Sequence, residues 1–202
     1  MRPGFRYVIS SIALAAALAS LASAAGDRVF RAAAAEQYAH QTAFHVTIGA
    51  KPFDTKALTL EAFGKKAPLL KYGVLPVLVV VENKSQQPLD LRALRANLVG
   101  SDGRHVRAVA PENLGYLKKG SRRPSQAPLP FPLHRRKRNP LRSPEILTRA
   151  FTAQFVSPGD SVSGFFYFEA RIEPGDRIYL DGIREVRSGN ELMYFEFPLR
   201  QP

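Results

Sequence analysis

The side chains able to carry chemistry are few and scattered. The 202-residue chain has four histidines, His40, His45, His105 and His134, and no cysteine. Only His40 and His45 lie near each other, and neither has the Cys or carboxylate neighbours at tight spacing that zinc requires. Asp160 and Asp176 close two Pro-Gly turns, Ser157-Pro158-Gly159-Asp160 and Glu173-Pro174-Gly175-Asp176. Neither turn offers the spaced oxygens of a calcium loop, so both carboxylates are expected to accept from backbone amides of their own turns. No Gly-rich phosphate loop precedes a helix. Ser161, Asp102 and His105 supply the residue types of a hydrolytic triad, but the residues after Ser161 read as a strand, not as the helix that follows a nucleophile elbow. The expectation is a chain without enzymatic activity, metal or cofactor.

One segment exceeds an ordinary solvated surface. Lys118, Lys119, Arg122 and Arg123 form one basic cluster, Arg135, Arg136, Lys137 and Arg138 a second, and Arg142 follows; no acid stands between Glu112 and Glu145. Solvated loops usually mix signs, whereas a single-sign run concentrates potential and attracts polyanions. The chain's net charge of +12 comes from 29 basic and 17 acidic residues. Setting aside these nine and Arg2 and Arg6 leaves 18 basic residues against all 17 acids, so the rest of the chain is nearly neutral. The same segment, Lys118–Pro144, holds six prolines and no hydrophobic periodicity, and is expected to be a mobile excursion with polyproline character. Its one apolar patch is Pro128-Leu-Pro-Phe-Pro132.

The elements that must carry this segment begin after a leader. Arg2 and Arg6 precede an apolar stretch, Tyr7 to Leu21, that ends in Ala22-Ser23-Ala24, the layout of a secretory signal peptide cleaved after Ala24. An uncleaved anchor is the alternative. Residues 25–42 read as an N-terminal arm or marginal helix, and residues 43–202 as one domain. With no cysteine, that domain holds by packing alone.

Its centre is Val74–Ser85. Val77 to Val81 is an unbroken apolar run rich in valine, which favours a strand covered on both faces. Phe44, Val46 and Ile48 alternate with polar or small residues as a half-buried strand, with His45 on its polar side. Asp54 or Thr55 caps a short helix that stops at Gly64. Leu89, Leu91, Ala96 and Leu98 carry an alternation broken near Ala93-Leu94, where a bulge fits. Asp102-Gly103 predicts a type I′ hairpin turn. Phe151, Ala153 and Phe155 alternate again, and Phe165–Phe168 form an aromatic strand with Tyr167 the member touching solvent. Ile178, Leu180 and Met193–Phe197 complete seven or eight short strands. The fold class is all-β, an immunoglobulin-like antiparallel sandwich with a short helix and a long basic loop.

The order Val-Glu-Asn-Lys-Ser85, Leu89-Asp-Leu91, Asp102-Gly103, Ser157-Pro-Gly-Asp-Ser161 and Gly164-Phe-Phe-Tyr-Phe168 resembles the FxLYD-type and late-embryogenesis-like sandwich modules of bacterial exported proteins. The resemblance covers about Val74–Glu169 and implies the sandwich; those modules share no catalytic residues, so it implies no activity. Gly159-Asp160-Ser161 and Asp102-Gly-Arg-His105 also resemble the motifs of a lipase/esterase family, but in reversed order along the chain.

Together these features predict a periplasmic or secreted binding or scaffolding module whose basic loop contacts an anionic envelope surface or an acidic partner. Nucleic acid meets the same electrostatic demand, but export separates the chain from it. The alternative is a subunit of an envelope complex that uses a sheet edge or Pro128–Pro132, with the charges serving solubility. A serine hydrolase acting through Ser161 is the remote third.

Overall fold

A nine-residue strand without a single polar face needs a cover on each side, and the chain supplies two unlike ones. The computed structural model describes residues 30–117 and 139–200. Its strands are β1 (Ala39–Ala43), β2 (Val46–Pro52), β3 (Leu75–Asn83), β4 (Leu89–Asp90), β5 (Arg95–Val99), β6 (His105–Arg107), β7 (Phe155–Val156), β8 (Ser161–Phe168), β9 (Arg177–Asp181), β10 (Arg184–Glu185) and β11 (Phe195–Pro198). They pair antiparallel into three sheets, ordered β1-β2-β3-β8, β10-β4-β7 and β11-β9-β5-β6. The fold is an all-β sandwich, with eight strands of three residues or more.

β3 lies between β2 and β8, with Val79 opposite Ala50 on one side and Gly164 on the other. Leu75, Val77, Val79 and Val81 face the core shared with β5, β9 and β11, where Leu98, Ile178 and Phe195 pack. Leu78 and Val80 face a second core with Phe53, Phe63, Leu114, Ile146, Phe165 and Tyr167. That second core is roofed by helices: α1 (Lys56–Phe63), α2 (Pro144–Thr148) and the 3-10 turns Leu69–Tyr72, Pro111–Tyr116 and Pro140–Arg142. The layers run helix, sheet, sheet.

Local chemistry sets the element ends. Thr55 caps α1, its hydroxyl accepting from Leu58 N at 3.3 Å, and Gly64 terminates it at φ 67°. Asn83, fully buried at the end of β3, donates to Gln87 O at 2.7 Å and Val156 O at 3.1 Å and accepts from Ser85. A buried amide with all these partners fixes the turn after β3. Asp176 is buried and accepts from Glu173 N at 2.7 Å, as its turn chemistry predicts.

Several expectations need correction. Residues 25–42 are not only an arm, because Ala39–Ala43 form β1 against β2. Phe44 and His45 are the turn between them, both in the left-handed region (φ 53° and 60°), so His45 is on no strand face. β2 is buried almost throughout, not half-buried. The β5–β6 connection bonds Gly103 N to Gly100 O at 2.9 Å with a positive φ only at Gly103, which rules out a type I′ turn. At Ala93-Leu94 the chain turns between sheets, with Leu94 N donating to Leu91 O at 3.0 Å. Tyr167 does not touch solvent; it is 1% exposed. Residues 139–144, placed by sequence within the mobile excursion, form the start of the helical roof, with Leu141 buried.

Two consequences are testable. A Cβ at Gly49 would overlap the carbonyl of Ala35, where the chain crosses the sheet; Gly49→Ala is expected to cost about 2 kcal/mol, read as a lower urea midpoint. The Arg92 guanidinium beside Asp90 holds its carboxyl at about 2, below its usual 3.8. The pair therefore supports the fold above pH 4 and is lost as pH falls toward 2. Denaturation of Asp90→Asn should show lower stability than the parent at neutral pH, with the difference shrinking as pH falls from 4 through 2.

Candidate functional site

Of the nine basic residues singled out by sequence, Lys118, Lys119, Arg122, Arg123, Arg135, Arg136, Lys137 and Arg138 lie outside the described residues, as does Pro128–Pro132. Arg142 lies within, and with it the two roots of the excursion. Asn139 Nδ2 donates to Gly115 O at 2.9 Å, so the chain leaves and returns at one place. Asn139 Oδ1 accepts from Leu141 N at 3.0 Å, capping the 3-10 turn Pro140–Arg142. The Arg142 guanidinium lies 5.0 Å from the centre of the exposed Tyr116 ring, a cation–π contact. A Cβ on Gly115 would crowd the Arg142 side chain, which is why the smallest residue sits at this crossing.

Below these roots the packing is apolar and closed. Leu114, Leu141 and Ile146 are at most 1% exposed. α2 is bonded to the sheet by the Tyr167 hydroxyl, which donates to Ile146 O at 2.7 Å, and burial pushes that phenol above its ordinary range. Ser143 donates to the Glu145 carboxylate, holding it below the usual carboxylate range. The roots at Gly115 and Asn139 therefore sit on a close-packed base.

A substantial recess lies elsewhere, where β8 of the first sheet meets β5 and β6 of the third. It encloses about 620 Å³. The outer edge of β8 is divided between two passing segments: Phe151 N donates to Phe165 O at 3.0 Å, and Val109 N to Tyr167 O at 2.7 Å. Phe151 and Phe166 line the recess with rings 5.2 Å apart and 18° from parallel. Arg95, His105, Arg107 and Asp181 also line it, and Arg95 Nε donates to Asp181 at 2.8 Å. Sequence pattern named Phe166 and His105 without bringing them together, because the meeting of two sheet edges is long-range.

The other candidates stay apart or outside view. His40 Nδ1 bonds Tyr38 O at 2.9 Å, and His134 lies outside the described residues. No group of three His, Cys, Asp or Glu able to hold a metal occurs among the described residues. Ser161 opens β8, and among the described residues no hydrogen bond joins it to a histidine. No described helix is long and apolar enough to cross a membrane.

Fold and site define a sandwich-type β protein with a basic segment and a substantial cleft beside β8. No family model matches the chain, and no curated protein matches it; the β-rich fold expected from the resemblance is present, but FxLYD-type or late-embryogenesis-like membership is not shown. Among solved structures it is similar to a "putative lipoprotein (ycdA)" of Bacillus subtilis, at 13% identity and a TM-score of 0.40 over 79% of this chain and 38% of that one. The chain thus spans well under half the length of that protein.

Removing the Tyr167 hydroxyl tests how firmly the roof is held. Tyr167→Phe leaves the Ile146 carbonyl buried without this donor and is expected to cost about 1–3 kcal/mol, with faster hydrogen exchange concentrated in residues 139–148.

Proposed function

We propose that the protein is an exported, non-enzymatic binding module whose basic excursion attaches it to an anionic surface of the cell envelope. The observation that carries this reading is the segregation of charge. Outside that segment and the leader, 18 basic residues stand against 17 acids, and six of those cations are paired: Lys84 with Glu36, Arg92 with Asp90, Arg95 with Asp181, Arg177 with Glu196, Arg184 with Glu191 and Arg200 with Asp54. The nine basic residues of Lys118–Arg142 have no acid in their own segment, and Arg142 stacks on an aromatic ring. Each Lys or Arg close to an anionic lipid surface contributes about 1 kcal/mol, screened by salt. Two clusters of four are enough for salt-sensitive attachment. The leader-like Arg2–Ala24 supports an envelope setting.

An envelope-complex subunit that binds through a sheet edge is the second reading; β6, at the end of the third sheet, has a strand partner on one side only among the described residues. Sedimentation of residues 25–202 with anionic and neutral vesicles, at low and high salt, tests the first. Binding confined to anionic vesicles and lost at high salt is expected, as is its loss when the basic residues of 118–138 are changed to Ser. Absent or salt-insensitive binding defeats it. Partner capture that survives the Ser changes selects the second reading.

A further inference from the structure

We propose that the cleft between β8 and the β5–β6 pair is a binding site for a small organic anion with a flat apolar body, of the aryl carboxylate or aryl sulfonate class. This rests on residues separate from the basic excursion and stands or falls without it.

The volume comes first. About 620 Å³ is within the range of sites that take small molecules. The floor comes second. Phe165, Tyr167 and Phe168 of the same strand are at most 2% exposed, whereas Phe166 and its stacked partner Phe151 are only partly covered. Two parallel phenyl rings left part-wet in a concavity offer the surface on which an aromatic body stacks.

Charge selects the sign of the guest. Three potential cations, Arg95, His105 and Arg107, face one carboxylate, Asp181, and Arg95 already occupies it. Among the described residues neither Arg107 nor His105 is paired with a carboxylate. The register sets Arg107 opposite Asn97 and Arg95 opposite Asp181, so Arg95, Asn97 and Arg107 share one face of the sheet. A guanidinium fork and a neighbouring amide can bond a carboxylate or sulfonate.

The wall is also built rather than incidental. A Cβ on Gly164 would overlap the backbone of Ala150 and Phe151. The central sheet gives up a side chain at this position, which is what lets the Phe151 segment lie against β8 and shape the recess.

The test uses residues 25–202 with the basic residues of 118–138 changed to Ser, so that the excursion cannot hold the probe. Naphthalene-2-sulfonate is titrated calorimetrically, with naphthalene-2-methanol as the uncharged comparison. One saturable site is expected, with at least tenfold weaker binding of the sulfonate in Arg107→Ala, unchanged weak binding of the alcohol, and an unchanged melting temperature, since Arg107 is exposed. The proposal is overturned if the sulfonate shows no saturable binding. It is equally overturned if Arg107→Ala and His105→Ala bind as the parent does, or if binding is seen only with the excursion's charges intact.

Discussion

The burial of β3 on both faces is the constraint from which the architecture follows. From Leu75 to Val81 no side chain can hydrogen-bond, so water on either face would be costly and both must be dry. A second sheet covers one face well, since two pleated surfaces interdigitate at sandwich spacing. The other face is covered by short helices drawn from three separate stretches of chain. That asymmetry makes this more than a two-layer sandwich, and it is why Phe63, Leu114 and Ile146, distant in sequence, occupy one core.

Close packing on a strand of this kind demands gaps in its neighbours. Gly49 of β2 stands opposite Val80, and Gly164 of β8 stands opposite Val79. Each missing side chain admits a crossing backbone: Ala35 over Gly49, and Ala150–Phe151 over Gly164. Glycine weakens strands through lost packing and added chain entropy. Here that cost is offset by apolar contacts that the crossing segments make, with Ala35 completely buried and Ala150 nearly so.

What could be read in the sequence follows from how local each signal is. The valine run, the Thr55 cap with Gly64, and the Pro-Gly turns are decided within a few residues, and they appear where their chemistry places them. β1 was not legible because Ala39-His-Gln-Thr-Ala43 has no apolar alternation; it pairs because the Phe44-His45 turn, in the left-handed region despite lacking glycine, folds it onto β2. Tyr167 was misplaced for a related reason. Its cover is α2, from a proline-rich region whose composition suggested no packing at all, although Pro144 in the first turn of α2 is compatible with a helix start. The cleft was invisible because its walls come from three parts of the chain joined only by tertiary contact.

The excursion and the cleft are linked by one short piece of chain, and that piece decides whether they act together. Pro111 lines the cleft, and the 3-10 turn it opens runs to Tyr116, beside the root at Gly115. In the middle of that turn Leu114 is completely buried, and Leu141 is buried on the returning strand of chain. A displacement at the root would have to pull Leu114 out of a close-packed core before it could shift Pro111, and cores of this density resist such movement. The buried Leu114 and the Asn139–Gly115 hydrogen bond therefore hold the two roots in place. The proposed attachment through the basic segment and the proposed binding in the cleft are therefore separable in physical terms.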